Sequence, residues 1–391
     1  MRIRWVLPPD HGPGIGGYLV AYGYADRLVA LGHDVTVVHL TPLSLLRGLP
    51  PARWPRALKW LVAARLSRPG TDYRPDPRVR RVTRFRLTRR ACARDDAVIA
   101  TSWRTAGPVV AATTGRDGTA TGAGCYFIQH HETWDGDPEQ VNATWRLPLR
   151  RIVIAEWLAE VAAELDALPV AIAPNAIDAS VHHVVTPPEE RAAASVAMLW
   201  HRKDWKRSAD ALAALELVSR EVPELTVDAF SVFPRPAGMP GYVRWHEAAT
   251  PEEVARLLNG AAVFLSPSET EGWGLPATEA LACGCGLVCT DIGGVRDYAH
   301  EGATALLVPV GDVPAMAAAV QRLITDDELR LRLARAGADL VGREFTWGPA
   351  VDRLERLLAA APPSAEPQPE PQPEAKPEPR AEPVAADAMS A

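Results

Sequence analysis

SPSETEGWGLPATEALACGCGLVCTDIGGVRD, residues Ser266 to Asp297, joins a hydrophobic strand to a helix through a loop of glycines and acids. The strand is the AAVFL run of Ala261 to Leu265, and Pro276 stands where a first helical residue tolerates a missing N–H. The loop therefore lies at a helix N-terminus, where unpaired N–H groups and the positive end of the helix dipole favour an anion such as phosphate. Gly272 and Gly274 let backbone approach a ligand closely. Glu271 sits in the loop and Glu279 a turn into the helix, a spacing that suits two hydroxyl-bearing parts of one elongated ligand better than one metal ion.

Working outward, the same physical theme recurs. The strand SVAMLW is followed by HRKDWKRS, a loop crowded with Arg202, Lys203, Lys206 and Arg207 ahead of a helix that Ser208 is placed to cap. Four cations crowded at the C-terminal end of a strand suit an anionic ligand. Further upstream CYFIQHHETWDGD ends an apolar strand in Gln129, His130, His131 and Glu132, polar groups at the C-terminal edge where open parallel sheets put their ligands. Adjacent His130 and His131 point to opposite faces of a strand and do not share one metal ion readily. Residues 1 to 40 read strand, loop, helix, strand, the first half of a Rossmann-like unit. Gly12, Gly14 and Gly17 match G-x-G-x-x-G, but the second strand ends in His39 where a dinucleotide site wants an acid for the ribose.

Two Glu separated by seven residues in EGWGLPATEALACG, followed by GG and Asp297, resemble the donor site of family 4 of the retaining glycosyltransferases. GIGGYLVA followed by LGHDVTVV is similar to the opening of that family. The resemblance implies the GT-B fold: an α/β chain of two Rossmann-like domains facing each other across a cleft. By this resemblance Glu271 would contact the transferred sugar and Glu279 the ribose hydroxyls. Gly272, Trp273, Gly274 and Leu275 would border the diphosphate, and Gly16 and Gly17 would lie beside it from the other domain. His131, in a His-Glu step, would stand near the reacting sugar, and Lys206 and Arg202 would neutralise the leaving group. The family's usual Arg five or six residues before the Lys is not present as such, since His201 occupies the position five before Lys206.

The resemblance further implies a nucleotide diphosphate sugar as donor, an acceptor hydroxyl on a glycan, glycolipid or small metabolite, and no cofactor. No D-x-D step stands beside the donor site, in keeping with metal independence. A nucleotide-sugar epimerase or phosphorylase would share the fold, an NAD-dependent oxidoreductase is disfavoured by His39, and a non-catalytic binder would not need His131 toward the donor. The expected domains are residues 1–174 on the acceptor side and 175–346 for the nucleotide sugar. A helix over 347–361 crosses back to the first domain, and a disordered tail runs over 362–391.

Bulk properties agree with a two-domain globular chain: 391 residues, 47% hydrophobic, 23% charged. Five Cys argue against a disulfide framework and fit a reducing compartment, and Cys283, Cys285 and Cys289 read as small packing residues. Neither a membrane span nor a signal-peptide pattern is visible, so a cytoplasmic location is expected. Nucleic acid is not an expected partner, and the net charge is −6. It conceals 14 Arg or Lys against Asp72 and Asp76 between positions 47 and 90, a stretch suited to a membrane face or an anionic acceptor. In the tail, Glu recurs every fourth position from Glu366 to Glu382 among frequent Pro.

Overall fold

A computed structural model describes residues 1–9, 16–41, 75–115 and 123–360. Gly12, Gly14, the larger part of the basic 47–90 stretch and the Pro-rich tail lie outside the described residues. The first half holds seven parallel strands: β1 (Arg2–Leu7), β2 (Asp34–Leu40), β3 (Arg80–Arg84), β4 (Ala97–Ala100), β5 (Gly124–Ile128), β6 (Arg150–Val153) and β7 (Val170–Ile172), in the order β3-β2-β1-β4-β5-β6-β7. The second holds six: β8 (Ser195–Leu199), β9 (Thr226–Ser231), β10 (Val243–Glu247), β11 (Val263–Ser266), β12 (Gly286–Thr290) and β13 (Ala305–Val308), ordered β10-β9-β8-β11-β12-β13 and again parallel. Runs such as DVTVVHL in β2 and GLVCT in β12 are buried almost throughout, as strands covered by helices on both faces must be. In each sheet the strand order reverses beside the first strand, between β1 and β4 and between β8 and β11. Such reversals open a crevice at the carboxyl ends of the strands. Two Rossmann-like sheets of this kind make the GT-B architecture.

The helices that matter for the crevices are α1 (Gly16–Ala30), α2 (Arg89–Cys92), α3 (Trp103–Thr113), α4 (Pro138–Trp145) and α5 (Glu156–Glu164) in the first half. The second contributes α6 (Ser208–Glu221), α7 (Pro251–Gly260), α8 (Leu275–Ala282), α9 (Val313–Thr325), α10 (Asp327–Glu344) and α11 (Trp347–Ala359). α8 opens one residue before Pro276, with Gly274 at the N-cap in the left-handed region at φ 86°. Ser208 does not cap α6. It is the first helical residue, Arg207 precedes it at φ 45°, and the Ser208 hydroxyl accepts the His201 N–H at 2.9 Å, tying the cationic loop back on itself. All five cysteines are buried and unpaired, and burial raises the Cys285 thiol to about 12. No helix among the described residues is long and apolar enough to cross a membrane.

Two helix starts facing the crevice are capped from a distance. Ser102 and Thr105 form a capping box on α3, and the remaining Trp103 N–H donates to Glu132 Oε2 at 2.8 Å. Ala155, the N-cap of α5, has no side-chain acceptor, and Asp297 from the second half accepts the Glu156 N–H at 3.2 Å. Burial lifts the Glu132 carboxyl to about 7 against the pull of that N–H bond, and burial likewise lifts Asp297 to about 6. The last helix returns to the start of the chain. Trp347 packs edge-on against Tyr24 at 5.0 Å with the Arg27 guanidinium 4.3 Å from its ring, and Glu355 accepts from His33 at 2.8 Å. Gly23 makes this docking possible, since a Cβ there would sit 2.4 Å from the Trp347 ring.

Two predictions follow from these contacts. Gly23→Ala should destabilise the protein by about 1–3 kcal/mol and expose the last helix to limited proteolysis, measured by thermal melting and digestion. Glu132→Gln keeps an acceptor for Trp103 and removes the titration. The native carboxyl is raised above the unfolded value of 4.5, so its contribution is present below 4.5 and lost as pH rises to about 7. Melting temperatures of Glu132→Gln should therefore gain on the unsubstituted protein across that window, and a constant difference from pH 4.5 to 7 would contradict the assignment.

Candidate active site

The two crevices face one another across a single cavity of about 530 Å³. Its second-half wall is the loop from Ser266 into α8. Glu271, Gly272, Gly274, Leu275 and Glu279 all border it, with Lys206, Lys203 and His201 from the loop after β8 beside them. Its first-half wall is Gly16 and Gly17 in the first turn of α1, Thr101 and Ser102 after β4, and Gln129, His130 and Glu132 after β5. Two helix N-termini, those of α1 and α8, thus open into one space, with first-turn N–H groups that the helices themselves leave unpaired.

Close backbone approach sets this geometry. A Cβ on Gly272 would lie 2.0 Å from the Gln129 carbonyl oxygen, and one on Gly294 would lie 2.2 Å from the Glu271 carbonyl. The Trp157 indole donates to the Gly272 carbonyl at 3.0 Å, and Gln129 Nε2 donates to the Gly17 carbonyl at 3.1 Å. Glycine at 272 is therefore required by the opposing half, not by a turn.

Glu271 and Lys206 meet directly. Lys206 Nζ donates to Glu271 Oε1 at 2.5 Å, and the Ser268 hydroxyl donates to the same oxygen at 2.7 Å. Glu279 is different: its carboxylate forms no hydrogen bond or ion pair with the described residues and faces the cavity, and burial raises its carboxyl above the ordinary range while His182 pulls it back. It is an acceptor held ready for donors. His201 accepts the Lys203 N–H on Nδ1 at 3.0 Å, so its neutral ring carries the proton on Nε2. Burial disfavours a second proton on that ring, and the Lys206 and Lys203 charges act in the same direction. His130 must donate from Nδ1 to the His131 carbonyl at 3.1 Å, which leaves Nε2 as acceptor toward Thr270 Oγ1 at 3.4 Å. Burial also depresses the His130 pKa.

Three residues singled out in the sequence are placed elsewhere. His131 does not border the cavity: its Nε2 meets Asn142 Oδ1 at 2.7 Å and its ring packs edge-on to Trp145, on the α4 side, while His130 takes the cavity side. Arg202 also turns away, its guanidinium 4.6 Å from the Phe233 ring, and His201 and Lys203 stand at the wall in its place. Trp273 contributes backbone to the wall, but its indole is 2% exposed, packed against Phe345 and Tyr298 with Nε1 donating to Thr278 Oγ1 at 3.1 Å. Tyr298 in turn donates to the Trp273 carbonyl at 2.7 Å, which holds the loop. Glu132 and Lys203, noted in the sequence only as members of a polar strand end and a cationic loop, border the cavity, as do Trp134 and Trp205, to which sequence reasoning assigned no part. Two tryptophans within polar loops were the available signal. Among the described residues no group of three His, Cys, Asp or Glu is placed to hold a metal ion.

Residues 237–339 match the sequence model of the family described as glycosyl transferases group 1. Over 102 residues the chain is 40% identical to D-inositol 3-phosphate glycosyltransferase 1 of Catenulispora acidiphila, covering 26% of this chain and 24% of that protein. Over 134 residues it is 31% identical to the D-inositol 3-phosphate glycosyltransferase of Corynebacterium aurimucosum, covering 34% and 32%. The matched stretch thus spans about a quarter to a third of these relatives. Two solved structures share the fold along nearly the whole chain. Sucrose-phosphate synthase from Thermosynechococcus elongatus superposes with a TM-score of 0.68 at 17% identity, covering 91% of this chain and 98% of that one. Anabaena Alr3699/HepE in complex with UDP gives 0.69 at 12% identity, covering 92% and 99%. Residues 237–339, which carry Glu271 and Glu279, are thus similar to the group 1 glycosyltransferases, and the chain shares its GT-B fold with these solved structures.

Proposed function

We propose that this protein transfers a glycosyl group from a nucleoside diphosphate sugar to an acceptor hydroxyl with retention of configuration and without a metal ion. The observation that carries the reading is the composition of the cavity wall: the ion-paired Lys206 and Glu271, the start of α8 and the unpartnered Glu279 all border one space. A diphosphate suits Lys206 and the start of α8, and hydroxyl-rich sugar and ribose suit the two carboxylates. Glu279 takes the ribose hydroxyls, and Glu271 orients the transferred sugar. Lys206, aided by the Nε2–H of His201 and the first-turn N–H groups of α1 and α8, stabilises charge on the leaving diphosphate. In the reaction the bond from the anomeric carbon to the phosphate oxygen breaks and a bond to the acceptor oxygen forms on the same face. The acceptor proton passes to the departing phosphate, giving the nucleoside diphosphate as second product. Neither Glu is required as a covalent nucleophile.

The group 1 family match over residues 237–339 supports the donor half of this reading and leaves the acceptor to the first half of the chain. Work in the cytoplasm, with the basic 47–90 stretch meeting a membrane face or an anionic acceptor, belongs to the same proposal.

Release of UDP from UDP-sugars, followed with and without chelator, tests the reaction, and rates should match in the two conditions. Glu279→Ala should weaken UDP binding by tenfold or more, roughly the worth of one buried charged hydrogen bond. Glu271→Gln should leave UDP affinity within a few fold and lower the transfer rate by about 10²-fold or more. Equal effects of both variants on affinity and on rate would refute the division of roles. His201→Gln retains a neutral donor and should cost less than His201→Ala, by steady-state kinetics.

A further inference from the structure

Within the cavity mouth stands a side chain to which the donor reading gives no work. Trp134 is 54% exposed, and it is the one described tryptophan left largely in water. A large apolar ring in solvent is ordinarily a cost, and at the rim of a cleft it marks a contact that a ligand completes. Its loop is not loose. Glu132 on one side accepts the Trp103 N–H, and Asp135 on the other is held by Arg104 through Nε at 3.0 Å and through Nη2 to its carbonyl at 2.7 Å. The Asp135 N–H closes the turn on the Glu132 carbonyl at 3.0 Å. The indole is therefore presented on a fixed support, so little ordering is needed when something packs on it.

The surroundings define what that something is. Trp205 from the opposite half leans on the indole at 5.5 Å and 36°, and His130 meets it edge-on at 6.3 Å. The Lys203 ammonium lies 4.3 Å from the Trp205 ring centre. Glu132 and Ser102 supply oxygen acceptors in the adjoining wall. Leu19 and Val232 also line the cavity, but around the Trp134–Trp205 pair stand polar groups: His130, the Lys203 ammonium 5.6 Å from the Trp134 ring centre, Glu132 and Ser102. That pattern matches a flat hydroxylated ring with a face of C–H groups and a rim of O–H donors.

We propose that Trp134 is the stacking platform of the acceptor subsite, and that the acceptor presents a hydroxylated six-membered ring, a pyranoside or a cyclitol, with Glu132 accepting one of its hydroxyls. This rests on the transferase reading above and extends it to the acceptor. The test uses the full chain saturated with UDP, titrated with methyl α-D-glucopyranoside, methyl α-D-mannopyranoside and myo-inositol, with open-chain mannitol as control. Tryptophan fluorescence and saturation-transfer difference NMR report binding. At least one ring compound should bind saturably and mannitol should not. Trp134→Ala should weaken the ring compound by about fivefold or more, and Trp134→Phe should keep most of the affinity. UDP should bind both variants as it binds the unsubstituted chain. Ring binding unchanged in Trp134→Ala, mannitol binding as well as the rings, or no saturable binding of any ring would overturn the proposal. Loss of UDP binding in Trp134→Ala without loss of the ring would instead place the indole on the nucleotide and overturn it too. Failure of the unsubstituted chain to bind UDP is a separate result that counts against the donor reading alone.

Discussion

The cavity depends on how closely two backbones pass at its floor. The Gln129 carbonyl lies where a side chain on residue 272 would begin, so only a hydrogen there lets the two sheets present their carboxyl ends to a common space. Around that point the Trp157 indole bonds the Gly272 carbonyl, Asp297 supplies the missing cap of α5, and Gln129 reaches the Gly17 carbonyl. The Asp297 bond takes up an N–H that the start of α5 leaves unpaired, and the Gln129 amide holds the first turn of α1 beside it. Contact between the halves thus falls at the same edge to which the helix N-termini open.

Much of this was legible in the sequence because the donor side is local in sequence. Strand, glycines, Pro276 and both carboxylates fall within one strand-loop-helix unit, so spacing alone puts Glu271 and Glu279 on one wall. The alternation of continuous apolar runs with helical periods likewise gave a pair of parallel sheets. What was not legible depends on partners far away. Strand alternation says that His130 and His131 face opposite ways, but which one faces the cleft is decided by Asn142 and Trp145 on α4. Arg202 carries the charge expected of a phosphate ligand, yet Phe233, beyond the end of β9, draws its guanidinium aside. The resemblance put Trp273 at the diphosphate, and Phe345 and Tyr298 make its indole core.

Glu132 shows the same limit from the other side. Its place at the end of an apolar strand marked it as a polar group at the ligand edge, but its bond to the first turn of a helix that begins 29 residues earlier in the chain was not legible. Held there, partly desolvated and raised toward neutrality, it combines a structural bond with a place at the cavity wall. Trp134 follows in the same turn, so one anchored loop supplies both a hydrogen-bond acceptor and an apolar ring.

The Lys206–Glu271 contact has a thermodynamic corollary. In the empty cleft each charge neutralises the other, so any guest that claims the ammonium leaves a desolvated carboxylate without its counterion. A molecule bearing both an anionic group and a neighbouring polyol compensates the two sides together, whereas a bare anion compensates one. Under the proposed function the pair discriminates by completeness: an intact activated saccharide is retained in preference to the nucleotide fragment left after its sugar has gone, and turnover itself loosens the grip on what remains.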